Sequence, residues 1–99
     1  TGTKLSHAGV TLDSSSCKVS ANQKSVELTK NELRILSLLM QNAGTVVSRQ
    51  RIQEELWQSD EFVDDNTLTV NISHLRNTLA SIGVEDFVMT RRGLGYVIE

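Results

Sequence analysis

Two kinds of hydrophobic spacing divide the chain. Up to Leu28, apolar and polar residues alternate weakly, and Ser, Thr and Val are common. The stretches "AGVTLD", "CKVSAN" and "KSVELT" have this pattern, with polar turns such as "ANQK" between them. Short alternating runs punctuated by turn residues predict a small antiparallel sheet. From Thr29 the spacing becomes helical. Thr29 followed three residues later by Glu32 is a capping box, in which hydroxyl and carboxylate satisfy free amides of the first turn. Leu33, Leu36, Leu39 and Met40 then form one apolar stripe with Ile35 on its flank. Gly44 stands where a helix C-terminus favours a positive φ. After the brief extended link "TVVS", Ser48 is placed to cap a short second helix, "RQRIQEELW", with Ile52, Leu56 and Trp57 facing inward. The acidic stretch "QSDEFVDD" follows as a loop with one apolar pair, Phe62 and Val63. Asp64 or Asp65 then caps a third helix at the positive end of its dipole.

That third helix, "DDNTLTVNISHLRNTL", carries the most information. At about 100° per residue, Leu68, Ile72, Leu75 and Leu79 fall within a sector of roughly 60°, a stripe to be buried against other helices. Asn66, Val70, Ser73, His74, Asn77 and Ser81 lie opposite, and none is acidic. A merely solvated face is normally filled with Glu and Lys, which favour helix and solubility. Small uncharged residues instead suit a base-reading surface, since Asn and Ser hydrogen-bond base edges and Val can touch a thymine methyl. An ordinary exposed face of mediocre helix formers is the plainer alternative. Gly83 closes the helix. The tail "FVMTRRGLGYVIE" reads as a β-hairpin turning between Arg91 and Gly95, with Gly93 and Gly95 supplying the turn geometry.

Composition changes this picture in one respect. Ten Lys and Arg against twelve Asp and Glu leave a net charge of -2, so no global basic character announces a nucleic acid or a membrane. The distribution is uneven. Residues 27 to 65 hold eight acids against four Lys and Arg, whereas residues 66 to 84 and 87 to 98 hold three arginines and no acid. Three helices followed by a basic hairpin is the order of a winged helix, whose third helix enters the major groove while the wing reaches flanking DNA. Ninety-nine residues with 38% hydrophobic content suffice for one domain spanning residues 1–99, and not for two. The lone Cys17 cannot form an internal disulfide, fits a reducing compartment, and reads as a small filler on a strand. No run of about 18 apolar residues is present to span a membrane, and no signal peptide opens the chain, so a soluble cytoplasmic protein is expected. Thr1 in place of a methionine suggests a piece of something longer.

The blocks "LTKNELRILSLLMQNAGTVVSRQRIQEELW", "DDNTLTVNISHLRNTL" and "TRRGLGYVIE" resemble, in order and spacing, the effector domain of OmpR/PhoB-type bacterial response regulators. The resemblance runs from about Val10 to Glu99. It implies an α+β fold: a winged helix-turn-helix with an N-terminal four-stranded antiparallel sheet, three helices and a C-terminal β-hairpin wing. It also implies the DNA-binding half of a two-component transcription factor whose phospho-acceptor receiver is absent here.

Carried over residue by residue, the resemblance places a recognition helix at residues 66–82 and a wing at residues 90–96. Val70 makes apolar base contact, and Thr67 and Arg76 hold phosphates. Thr90 and Arg92 of the wing reach DNA, while Tyr96 and Trp57 match backbone-contacting positions. Asn71, Ser73, His74, Asn77 and Arg91 complete the candidate DNA-binding set. The family often has Arg where this chain has His74, an acid where it has Thr69, and a basic or polar residue where it has Ser73. Base specificity therefore does not transfer. Few cationic contacts predict weak binding by the isolated domain and a shallow salt dependence.

The acidic loop at residues 58–65, with Asp60, Glu61 and Phe62, corresponds to the family's RNA polymerase-contacting loop; a solvated loop is the plainer reading. Trp57 as helix-end packing and Arg91 with Arg92 as a solvated turn are the corresponding plain readings. By the same resemblance, a sensor histidine kinase phosphorylates the missing receiver. The full protein then forms a homodimer, seating two domains head to tail on a tandem direct-repeat operator of double-stranded DNA. The context "DDNTLTVN" resembles Gram-positive regulators responding to envelope-acting peptide antibiotics.

Catalysis and metal binding find no support. His7, Cys17 and His74 have no metal-ligand spacing, and "GLG" joins two strands instead of opening a helix over a phosphate. No cofactor is expected. The competing reading is a winged helix used as a protein-interaction module. Such a module would expose large apolar anchors on its third helix, where this one offers only Val70.

Overall fold

A computed structural model describes residues 4–57, 65–85 and 87–98. The chain opens with a meander of β1 (Lys4–His7), β2 (Val10–Asp13), β3 (Lys18–Ala21) and β4 (Lys24–Glu27), joined in that order as an antiparallel sheet. Leu5, Leu12, Val19 and Val26 stand opposite one another from strand to strand, so one apolar row crosses the whole sheet. The first and third hairpin turns are made by pairs of residues in the left-handed region, Ala8 with Gly9 and Asn22 with Gln23, which matches the twist of the flanking strands, and the longer second turn ends on Cys17 at φ 56°. Sequence spacing located β2, β3 and β4; β1 follows only from the family resemblance, because "KLSH" brings a single aliphatic residue, Leu5, to the row.

Helix α1 (Lys30–Gln41) begins at the expected capping box: the Glu32 amide donates to Thr29 Oγ1 and the Thr29 amide to Glu32 Oε1. Its buried surface is wider than a single stripe. Ile35, assigned to the flank, is fully buried with Leu36 and Leu39, while Leu33 is only partly buried. The cause is that α1 is central, packed on one side by two helices and on others by β1 and the last strand of the wing. "TVVS" forms more than a link: Val47 and Ser48 make a short strand, β5, and the Ser48 hydroxyl accepts from the Arg51 amide at the start of α2 (Arg49–Trp57).

Helix α3 spans Asp65–Ala80. Leu68, Ile72, Leu75 and Leu79 are buried as the spacing requires, and Gly83 adopts φ 81° beyond the last turn. Of the two candidate caps, Asp65 is the first residue of the helix, and Asp64, with Phe62 and Val63, lies outside the described residues. The chain ends in β6 (Val88–Arg91) and β7 (Gly95–Ile98), with β7 between β5 and β6. Gly95 is indispensable at this junction: its φ is 151°, and a Cβ there would meet the Val47 carbonyl oxygen at 2.0 Å. Among the described residues, no helix is long and apolar enough to cross a membrane.

Candidate nucleic-acid interface

The face of α3 opposite its buried stripe is open. Asn66, Thr67, Val70, Ser73, His74 and Asn77 are exposed, Val70 at 54%. From Asn66 to the helix end at Ala80 there is no acid. Ser81, assigned to the same face, lies in the turn after the helix and is also exposed. Asn71 is half-buried on one flank, its side-chain amide donating to the Thr67 carbonyl at 3.0 Å, so it stabilises the helix itself. Asn77 borders the cleft that Val84, Phe87 and Thr90 line behind the helix.

The opposite flank carries Thr69 and Arg76, about 20° apart on the helix and roughly 100° to 120° from Val70. Both are engaged by groups distant in sequence. Arg76 Nε donates to the Val88 carbonyl at 3.1 Å, and its Nη2 donates to the Thr90 hydroxyl. Two residues assigned separately to DNA, Arg76 and Thr90, are thus bonded to each other, and they fix the wing to the helix. A guanidinium has five N–H donors, so Arg76 can make these bonds and still offer others.

The second clasp was not anticipated. Arg49, first residue of α2, donates through Nη1 to the Tyr96 hydroxyl at 2.6 Å and through Nη2 to Thr69 Oγ1 at 3.0 Å. Its guanidinium carbon also lies 5.6 Å from the centroid of the Tyr96 ring, within cation–π range. A sequence signal for it existed: a cation in the first turn of a helix sits unfavourably at the positive end of the dipole, and α2 has no acid there to offset it. Arg49 at that position therefore implies a partner outside its own helix.

Tyr96 and Trp57, both assigned to the DNA backbone, lie at different depths. Tyr96 is buried on the central strand of the wing sheet and its hydroxyl accepts from Arg49, so it supports from below the surface that Arg49 joins. Trp57, expected to face inward, is 50% exposed. Ile52 and Leu56, one turn apart, set the buried side of α2, and Trp57 is about 100° round from Leu56. At the wing, Arg92 and Leu94 are exposed and Arg91 is half-buried. Asp60 and Glu61, like Phe62, lie outside the described residues. Among the described residues, no group of three His, Cys, Asp or Glu is arranged to hold a metal ion.

A pair of packed helices, α2 and α3, whose last helix bears an open, acid-free face and is clasped to a β-hairpin backed by a third strand defines a winged helix of the DNA-binding class. Residues 22–98 match the family described as "Transcriptional regulatory protein, C terminal", and the chain belongs to that family, the C-terminal DNA-binding domains of response regulators. It is 40% identical over 89 residues to the "Sensory transduction protein BceR" of Bacillus subtilis, an alignment covering 90% of this chain and 38% of that protein. With the "Response regulator protein GraR" of Staphylococcus aureus strain MRSA252 it shares 37% identity over 86 residues, 87% of this chain and 38% of that one. The chain thus spans well under half the length of these relatives. Among solved structures, the C-terminal domain of the nisin resistance regulator NsrR, a lantibiotic response regulator, superposes with a TM-score of 0.83 at 39% identity over 95% of both chains.

Proposed function

We propose that this chain binds double-stranded DNA sequence-specifically, as the effector domain of a cytoplasmic two-component transcription factor. In this reading α3 enters the major groove and the wing, from Thr90 to Gly95, lies on the flanking DNA. The observation that carries the reading is the acid-free face of α3 with two guanidinium clasps on one flank. Together they offer neutral side chains to base edges, and cations where the phosphates run beside the groove. Arg49 joins the assigned contacts as a phosphate-side group, while Thr67, Val70, Ser73, His74, Arg76 and Arg92 keep their places. Trp57 is accessible to the backbone. Tyr96 acts through Arg49.

The rest of the assembly rests on the relatives. A receiver phosphorylated by a sensor histidine kinase would dimerise the full protein, placing two copies of this domain on tandem direct repeats. Two weak sites joined in this way bind tightly through effective concentration. RNA polymerase is the partner for the acidic loop, and a signal related to peptide antibiotics follows from the likeness to the nisin resistance regulator.

The test is selection from random duplex DNA by a tandem-linked dimer of this domain at low salt, followed by sequencing. An enriched direct repeat that is lost on Arg92→Ala or Val70→Glu, with both variants folded, is the expected result. No enrichment from a folded protein would overturn the reading and leave a protein-interaction module in its place.

A further inference from the structure

Away from α3 and the wing, a half-open cavity of about 510 Å³ lies where the turn between β2 and β3 meets α1 and α2. Its volume is that of a small-ligand site. Lys30, Leu33, Arg34 and Ser37 fall on one face of α1 and form its main wall, with Cys17 on the turn and Glu55 on α2 closing it. Leu33, the Cys17 thiol and the methylene stems of Lys30 and Arg34 make that lining largely apolar. Its charges are one-sided. Glu55, the one acid among the described residues that line it, is already paired with Arg51 at 3.2 Å on its own helix, so Lys30 and Arg34 are left as the cations of the cavity. The Arg34 side chain is half-buried, and its Nε is closed off from solvent with no hydrogen-bond partner. A buried donor of a charged group left in that state is costly. A rotamer change of the kind common at binding sites presents Nε–H and the adjacent Nη–H side by side to the cavity, the fork that a carboxylate accepts in plane.

Independently of the DNA-binding reading, we propose that this cavity is a binding site for an aromatic carboxylate. Arg34 turns its fork to the carboxylate, and Lys30 adds a second positive charge at the rim. The Ser37 hydroxyl accepts from Gln41 Nε2 at 3.1 Å, which leaves its proton to donate to the ligand. The ring lies against Leu33 and Cys17. A bare inorganic anion would leave these apolar walls wet, and a neutral aromatic would leave Arg34 without an acceptor; a carboxylate on a flat apolar body uses both halves of the cavity.

The experiment titrates the isotope-labelled chain with naphthoate, with neutral naphthalenemethanol and with inorganic phosphate, following the backbone amides by NMR. Naphthoate should give saturable shifts at the turn holding Cys17, along the Lys30 to Ser37 face and around Glu55. Both control ligands should bind about tenfold more weakly or worse, as expected when hydrogen bonds to a charged group or the apolar contact are lost. Alkylation of Cys17 by iodoacetamide should slow severalfold at saturating naphthoate, which places the ligand in the cavity. Arg34→Gln should weaken naphthoate binding about tenfold and Lys30→Gln, at the exposed rim, about threefold, with melting midpoints close to the parent's. Arg34→Lys keeps the charge without the fork and should lose affinity nearly as Arg34→Gln does; it decides the matter if Arg34→Gln fails to fold. No saturable shift at millimolar naphthoate, shifts centred on α3 or the wing, equal binding of either control ligand, or a folded Arg34 variant that binds as the parent does, overturns the proposal and leaves the DNA-binding reading untouched.

Discussion

Two sets of polar bonds hold α3, in different surroundings. Towards the N-terminal sheet, the buried Glu32 carboxylate accepts from the Thr29 amide through Oε1 and from the Thr78 hydroxyl through Oε2, at 3.0 and 3.1 Å. The Asn22 side-chain amide donates to the Ile82 carbonyl at 3.0 Å. Towards the wing, Arg49 and Arg76 each join a surface hydroxyl, Thr69 or Thr90, to an acceptor on a buried residue, the Tyr96 hydroxyl or the Val88 carbonyl. A buried acceptor that loses its donor keeps its full desolvation penalty, whereas at the surface water fills the gap. The first set centres on a buried carboxylate and so weighs most on where α3 lies, while the second, half of it at the surface, also determines what α3 presents.

Breaking the buried set should have the largest effect. Glu32→Ala removes half of the capping box and the bond to Thr78, and should cost about 3 kcal/mol, lowering the thermal midpoint by roughly 15 °C for a domain of this size. A melt followed by circular dichroism measures it; an unchanged midpoint would mean that the buried set does not fix the helix. Arg49→Ala should behave in the opposite sense. Chemical unfolding should show a loss of about 1 kcal/mol, from the Tyr96 hydroxyl left without its donor, while DNA affinity falls about tenfold, as expected for hydrogen bonds to a charged group. Arg49→Lys should not restore it, because a single ammonium cannot reproduce the fork and stack of a guanidinium on Tyr96 and Thr69.

Asn22→Gly keeps the left-handed turn and deletes only the tether to Ile82; about 1 kcal/mol should be lost in a urea titration, with base preference unaltered. The smallest effect belongs to a purely local lock. The Ser15 hydroxyl, with the Ser15 and Ser16 amides behind it, holds the exposed Asp13 carboxyl below its usual 3.8. A depressed carboxylate stabilises the fold above its unfolded value, and that contribution is lost as the pH falls through the folded one. Asp13→Asn should thus be slightly less stable than the parent at neutral pH, and the difference should vanish well below pH 3.8 in parallel unfolding curves.

The same contrast explains what could be read from the sequence. The stripe of α3, its opposite face, the capping box and the hairpin all depend on residues a few positions apart, where spacing determines orientation. The bonds between Asn22 and Ile82, Glu32 and Thr78, and Arg49 and Tyr96 join residues 46 to 60 positions apart, and no local pattern contains them. The burial of Tyr96 was hidden for that reason: "GYVI" does not disclose that β7 is the middle strand of three. The width of α1's buried face was hidden likewise, since Ile35 becomes core only because elements pack on more than one side of the helix. Arg49 was the exception, detectable from its conflict with the helix dipole.

Gly95 has a consequence for anyone wishing to redirect this domain to a new sequence. With no room for a side chain against the Val47 carbonyl, the base of the hairpin is pinned to the connection between α1 and α2. Arg92 and Leu94, a few residues away, are exposed. A library that diversifies positions 70, 73, 74, 92 and 94 while leaving Gly95, Arg49 and Arg76 untouched would vary the reading surface on a constant frame. Variants from it should fold alike and differ chiefly in the DNA they retain.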